Sequence, residues 1–195
     1  MLWKGGGLDI FRIRVAYNML AAPNPLVFPE KKSIWVDKVP TKVVFFAWEV
    51  TWEKILTLDR LQKRGWQLPN RCFLCGCEEE NVNHILLHCT VVKALWEIVF
   101  ALFGVQWVFP KTVKEVLLCW RGLFVGKKRK KIWNSIPLCI FWTVWKERNR
   151  LAFRGGSLAI QTLKNSFVCS LWSWAKVYMG ESSSLLGFLE WLAAP

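Results

Sequence analysis

Acidic residues are scarce in this chain of 195 residues, which carries 27 Lys and Arg against 14 Asp and Glu, for a net charge of +13. The aspartates are isolated, at Asp9, Asp37 and Asp59. A two-metal centre for nucleotidyl transfer needs paired carboxylates, and the sequence has no G-x-x-x-x-G-K-[ST] phosphate loop. The sequence therefore predicts that this chain is not an enzyme and contains no polymerase catalytic core.

Histidine is rarer still. The two histidines, His84 and His88, both fall in one cysteine-rich window, at residues 71–89. A Ser-His-Asp arrangement would therefore lack a free base. A hydrolytic zinc site would need an open fourth position, whereas this window offers at least four protein ligands. Both observations again favour a chain without catalytic activity.

Long apolar runs are also absent, although mean hydropathy is +0.23. The apolar run at residues 136–142 stops at Thr143, and residues 91–109 are interrupted by charged and polar side chains. A spanning helix needs about 20 apolar residues, so no membrane segment is predicted. The start, MLWKGGGLD, is not typical of a secretory signal. An intracellular location, nuclear or cytoplasmic, is expected, and reduced thiols there favour metal binding over disulfides.

The cysteine-rich window, RCFLCGCEEENVNHILLHC, holds four of the seven cysteines. Cys72, Cys75, His84 and Cys89 are spaced as C-x2-C-x8-H-x4-C. Zn²⁺ takes four Cys or His ligands in a tetrahedron, and a C-x2-C turn lets two thiolates reach one ion without strain. The window therefore predicts one bound zinc ion.

The spacing alone leaves the ligand set open. Cys77 lies two residues after Cys75 and could replace a ligand. If residues 82–89 form a regular α-helix, His84 and His88 share a face while Cys89 points away, which would give a Cys2His2 site. If the helix ends near His88, Cys89 can turn back toward the metal.

Three sequence blocks carry a resemblance to a known family. They are FFAWEVTWEKILTLDRLQKRGW, the window itself and FWTVWKERNRLAF, in that order. With C-x-x-C-G, an acidic turn, H-[IL]-L-L-H-C and then Trp96, they resemble the zinc-binding domain downstream of the reverse transcriptase in plant LINE-type (non-LTR) retrotransposons. The resemblance implies Cys72, Cys75, His84 and Cys89 as the zinc ligands. It also implies a reverse transcriptase domain as a possible partner.

The resemblance runs from about residue 35 to residue 178 and suggests three parts. Residues 1–30 are a poorly matching N-terminal segment and linker, with a short strand predicted at IFRIRV, residues 10–15. Residues 31–180 form a helical zinc-binding domain associated with reverse transcriptases. Residues 181–195 are a C-terminal tail with a short helix.

Helical periodicity and capping signals predict a mainly α fold: a small helical domain with one structural zinc knuckle and little or no sheet. Thr57 is a plausible N-cap, Thr112 and Glu115 form a capping box, and Gly104 ends a helix. Pro137 predicts a kink or a division into two helices. The predicted helices cover residues 40–56, 58–64, 91–103, 113–121, 127–152, 157–178 and 185–192.

Positive charge is concentrated between residues 121 and 154, where ten Lys or Arg accompany a single acidic residue, Glu147. Five like charges at the start of a helix oppose the helix dipole, so they do not serve helix stability. They suit phosphate contact or nuclear localisation, with RNA or DNA as the partner. The predicted nucleic-acid-binding residues are Lys127, Lys128, Arg129, Lys130, Lys131, Lys146, Arg148 and Arg150.

The zinc window has the opposite charge. Glu78, Glu79 and Glu80 follow the knuckle, and residues 72–92 contain no Lys or Arg. Such a loop repels phosphates, so zinc is expected to be structural. Trp107, Trp142 and Trp145 are candidates for stacking on bases, although aromatics at helical spacing are more often core residues. The alternative function is a structural or protein-interaction zinc module without a nucleic acid partner.

Overall fold

The fold is described here from a computed structural model, which describes residues 34–122, 129–179 and 184–193. These residues form α-helices and two short irregular turns, without strands, and the prediction of a mainly α fold is confirmed. The predicted strand at residues 10–15 lies outside the described residues. The elements are α1 (Thr41–Thr51), α2 (Leu58–Lys63), a π-turn (His84–His88), α3 (Thr90–Phe103), α4 (Val113–Cys119), a 3-10 turn (Trp120–Gly122), α5 (Lys130–Arg154), α6 (Ile160–Met179) and α7 (Leu185–Ala193).

Helix α5 is the centre of the fold. Its 25 residues extend about 37 Å, and it contacts α1, α3, α6 and the π-turn. A helix whose buried side chains lie on several faces must be surrounded by other elements. Helix α5 meets this condition, because residues 135–141 are all buried. The zinc window and the basic segment are thus attached to one central helix.

Helix α5 continues through Pro137 without dividing, so of the two predicted alternatives, a kink or two helices, the division into two helices is wrong. Proline lacks an N–H and leaves the carbonyl four residues earlier without its backbone donor. That carbonyl is Trp133 O, and the indole N–H of Trp120 donates to it at 2.8 Å. A side chain from the preceding turn therefore replaces the missing backbone bond.

Two predicted helix boundaries are confirmed and one is wrong. The capping box of Thr112 and Glu115 begins α4 with both reciprocal hydrogen bonds, and Gly104, in the left-handed conformation, ends α3. Helix α1, in contrast, ends at Thr51 rather than near residue 56. Glu53 adopts a φ of 52°, which the right-handed helix does not allow.

Aromatic side chains make up much of the core. Trp96, Trp120 and Trp133 are almost completely buried. Among the predicted stacking residues, Trp142 and Trp145 pack on Phe46, with ring centroids 5.5 Å away in both cases. Trp107 packs on Trp120 at 5.2 Å. All three are half-buried in the protein, so their faces are largely used by the fold.

Across the described residues, no helix combines the length and the apolar character that crossing a bilayer requires.

Candidate metal centre and basic surface

The structure brings Cys72, Cys75, His84 and Cys89 into one cluster. One ligand atom from each residue lies within 4.8 Å of all the others. Cys72, His84 and Cys89 are buried and Cys75 is half-buried. Three sulfurs and one imidazole nitrogen at this spacing are the donor set of a closed, four-coordinate structural zinc site.

A tight turn positions the first two thiols. Gly76 N donates to Cys72 O at 2.8 Å, and Cys72 N donates to Glu78 O at the same distance. Gly76 has a φ of 68°, in the region that glycine enters without cost. The turn thus folds back on itself within seven residues, so that Cys72 and Cys75 face the same point.

A π-turn decides between Cys89 and His88. Cys89 N donates to His84 O at 2.7 Å, a bond from residue i+5 to residue i. In a π-turn, residue i+5 lies one turn along the axis from residue i. Cys89 and His84 therefore lie on the same side of the turn. His88 lies outside the cluster, and its Nε2 is 3.0 Å from Lys111 O.

Cys77 also lies outside the cluster. It is exposed, and its thiol donates to Cys75 O at 3.1 Å. The four residues that the structure brings together are thus the four implied by the family resemblance, and neither alternative ligand is among them.

The clustered groups hold protons that a metal would replace. The hydrogen bond with Cys89, together with burial, raises the pKa of Cys72 to about 12. The same hydrogen bond lowers the pKa of Cys89, helped by the backbone amides of Val91 and Val92 at the start of α3. The hydrogen bond with Cys72 raises the pKa of His84 to about 9, against the effect of burial. Of the two thiols, Cys72 therefore holds its proton more tightly than Cys89.

The imidazole of His84 is placed between the thiols and a carboxylate. Its Nε2 is 3.4 Å from Cys75 Sγ, and Glu78 Oε2 lies 3.1 Å from its Nδ1. Nδ1 is buried and makes no well-aligned hydrogen bond among the described residues. A histidine that binds zinc through one nitrogen usually presents the other to a carboxylate, so this arrangement fits a metal on the Nε2 side.

Glu80, predicted to be part of a repulsive acidic surface, is instead completely buried. Its Oε1 accepts from Leu58 N at 3.1 Å and from Arg148 Nη2 at 2.7 Å. Its backbone N–H donates to Asn70 Oδ1 at 2.7 Å. Glu80 thus caps α2, the role predicted for Thr57, whose side chain makes no capping bond.

Arg148 completes this buried network and is only 3% exposed. Its guanidinium bonds Glu80 through Nε and Nη2 and lies 5.0 Å from the ring of Phe73 and 5.1 Å from that of Trp145. A buried, paired guanidinium cannot reach a phosphate outside the protein. Arg148 therefore belongs to the core and is withdrawn from the predicted nucleic-acid contacts.

Two other predicted cations are engaged within the protein. Arg150 bonds both oxygens of Glu147, at 2.9 and 2.8 Å. Arg129 donates to Leu192 O at 2.7 Å and is half-buried. Lys130, Lys131 and Lys146 are exposed, whereas Lys127 and Lys128 lie outside the described residues.

Residues 11–96 match the family described as zinc-binding in reverse transcriptase. The match includes all four clustered residues, so the cofactor is zinc. It begins within the N-terminal segment and ends at Trp96.

A relative from Arabidopsis thaliana, named as a ribonuclease H protein, is 28% identical over 149 residues. The alignment covers 75% of this chain but 24% of the relative, so the chain spans about a quarter of the length of that protein. No solved structure gives a significant match.

The sequence pattern identified the four clustered residues, but it did not identify the side chains that hold them in place. Glu78 and Glu80 stand in one run of three glutamates, yet one lies 3.1 Å from His84 and the other is buried against Arg148. Asn81, whose Oδ1 accepts from His84 N at 2.9 Å, is a local contact that was not predicted. The partner of Glu80 is 68 positions away, so no local pattern could have identified that pair.

Proposed function

We propose that this chain is the zinc-binding accessory domain of a retrotransposon reverse transcriptase of the plant LINE type, and that it binds nucleic acid. The zinc is structural, held by Cys72, Cys75, His84 and Cys89. The single observation that carries the proposal is the convergence of these four residues within 4.8 Å, inside the region that matches the reverse transcriptase zinc-binding family.

Bound zinc would supply a cross-link, not a reactive centre. Four protein donors leave no open position for a substrate or water. The cysteines of the knuckle precede the π-turn, and Cys89 stands at the start of α3. The metal would therefore join the loop that follows α2 to the helix that follows the π-turn.

Nucleic acid binding is supported by charge. The chain has a net charge of +13, and Lys130, Lys131 and Lys146 are exposed on or beside α5. Cations on a surface attract phosphates and release counterions, which makes binding strongly salt-dependent. Lys127, Lys128 and Arg129 continue this set along the sequence. The relative named as a ribonuclease H protein gives the proposal a nucleic-acid context.

The competing function is a structural or protein-interaction zinc module without a nucleic acid partner. It is favoured by the placement of Arg129, Arg148 and Arg150, each of which is hydrogen-bonded within the protein. If this alternative holds, the role of the remaining lysines is only to increase the solubility of an aromatic-rich chain.

Elemental analysis of the purified chain tests the zinc proposal. We expect one zinc per chain, loss of the metal in Cys72→Ser, and full retention in Cys77→Ser, the matched control with an exposed thiol outside the cluster. Binding of labelled RNA and DNA over a range of salt concentrations then separates the two functions, since only the first predicts a steep fall in affinity with salt.

A further inference from the structure

A cleft of about 650 Å³ lies between α5 and the first turns of α6, and none of the zinc-cluster residues lines it. Its size is within the range of pockets that hold small ligands or single nucleotides, about 300–1,000 Å³. Helix α5 contributes most of the lining, including Lys146, Arg150, Phe153 and Arg154.

The charge of the cleft is positive. Its lining includes three basic residues and one acidic residue, Glu147. Glu147 is neutralised by Arg150, whose other donors reach the carbonyls of Gly155 and Ser157 at 3.3 and 3.0 Å. This ion pair therefore stabilises the connection between α5 and α6 and adds no net charge to the cleft.

The remaining cations are Lys146 and Arg154. Both side chains are exposed, and neither has a carboxylate partner among the described residues. They stand eight residues apart on one helix, about 12 Å along its axis. Two exposed cations at this separation can contact different phosphates of one strand.

The inner wall of the cleft is closed to a ligand. Thr143 lines this wall but is only 2% exposed, and its hydroxyl interacts with the thiol of Cys139, four residues earlier on the same helix. The side chains that a ligand can reach are therefore those at the rim of the cleft.

An aromatic ring stands beside these cations. Phe153 lines the cleft and is 81% exposed, more than any other aromatic side chain among the described residues. A phenyl ring in that position has both its apolar surface and its π-face open to a ligand. Exposed aromatic rings next to cations are the usual platform for unpaired bases, since stacking on them tolerates any base.

We propose that this cleft binds a segment of single-stranded nucleic acid. Phe153 stacks on one base, and the exposed side chains of Lys146 and Arg154 contact phosphates. The inference rests on the proposed nucleic-acid function and assigns to it a site other than the basic run at residues 127–131.

The test uses the full zinc-loaded chain and a fluorescent oligouridylate of about ten nucleotides, within the site size of single-strand-binding domains. We expect Phe153→Ala to weaken binding about tenfold. The double variant Lys146→Gln/Arg154→Gln should lower the slope of log affinity against log salt by about two.

Each variant has a matched control. Phe45→Ala removes another exposed phenyl ring, 54% exposed, on α1. Lys93→Gln/Lys111→Gln removes the same charge from two exposed lysines that do not line the cleft. Neither control should change the affinity as the cleft variants do. Zinc content and helical circular dichroism should equal those of the wild type in all four, because each altered side chain is exposed.

An abasic oligonucleotide separates stacking from charge. Wild type should bind it about tenfold more weakly than the oligouridylate, and Phe153→Ala should cause no further loss, because the stacking partner is already missing. Salt-dependent wild-type binding that neither cleft variant changes would overturn the cleft and leave the nucleic-acid function standing. Absence of any wild-type binding to RNA or DNA would overturn both, with the zinc site unaffected.

Discussion

Trp120 and Trp133 exchange hydrogen bonds while their rings stack. Trp120 Nε1 donates to Trp133 O at 2.8 Å, and Trp133 Nε1 donates to Trp120 O at 3.1 Å. The rings are 4.1 Å apart and nearly parallel, at 5°. The first bond satisfies the carbonyl that Pro137 leaves without a donor, so this pair joins the 3-10 turn to the first turn of α5, where Pro137 removes a backbone bond.

The first prediction tests that compensation. Trp120→Phe should destabilise the protein by about 1–3 kcal/mol beyond the loss of packing, because Trp133 O is then buried without a partner. Pro137→Ala restores the backbone N–H, so Trp120→Phe should cost about 1 kcal/mol less in that background. Urea unfolding of the four proteins in the cycle measures this difference. Equal costs in both backgrounds would contradict the assigned role of the indole N–H.

The helices could be predicted because their signals are local. The capping box at Thr112 and the stop at Gly104 need only neighbouring residues. The continuity of α5 could not be predicted, since the donor that compensates Pro137 comes from Trp120, seventeen positions away in the sequence. The end of α1 was not predicted either, because Glu53 adopts a left-handed φ that its residue type does not indicate.

The second prediction concerns the buried ion pair of Glu80 and Arg148. Glu80→Gln should destabilise the protein by about 3–5 kcal/mol, because it leaves the Arg148 charge buried and unpaired. Glu79→Gln, at an exposed position in the same run, should change stability by less than about 0.5 kcal/mol. Thermal unfolding of the zinc-loaded proteins makes the comparison. Similar small effects of the two substitutions would show that the ion pair of Glu80 and Arg148 does not stabilise the fold.

The candidate site shows the same division between local and distant information. The spacing of Cys72 and Cys75 is a local signal and was sufficient to predict a knuckle. The choice between His88 and Cys89 depends on helix type, and only the π-turn, with its bond from Cys89 N to His84 O, settles which side chain joins the cluster. Residue spacing cannot distinguish an α-turn from a π-turn, so the sequence left both alternatives open.

The third prediction compares those two residues directly. Cys89→Ser should lower zinc affinity by at least about tenfold, since a thiolate donor is removed from a four-donor set. His88→Ala should leave zinc affinity within about twofold, because His88 contacts Lys111 O and not the cluster. Competition with a zinc chelator gives both values. The reverse result, with His88 essential and Cys89 dispensable, would establish the Cys2His2 set instead.

The fourth prediction is a pH dependence of zinc binding. In the metal-free chain the pKa of Cys72 is raised to about 12 and that of His84 to about 9, so both groups carry protons at pH 7. Zinc binds the deprotonated forms and must displace these protons. These two protons alone should make log affinity rise with pH by at least about two units per pH unit between pH 6 and 8. Chelator competition at several pH values, corrected for the chelator, measures the slope, and a flat profile would contradict the protonation described here.

The fifth prediction concerns the basic run. Replacing Lys127, Lys128, Arg129, Lys130 and Lys131 with Gln should weaken RNA and DNA binding for all sequences alike, because phosphate contacts carry no sequence information. The salt slope should fall by about one for each phosphate that the variant no longer neutralises. Arg129 already donates to Leu192 O, so Arg129→Gln alone should act mainly on the packing of α7. Zinc content should remain at one per chain, since no clustered residue is changed. The interaction-module alternative predicts instead that the wild type and the variant bind equally weakly at every salt concentration, and that result would end the nucleic-acid proposal.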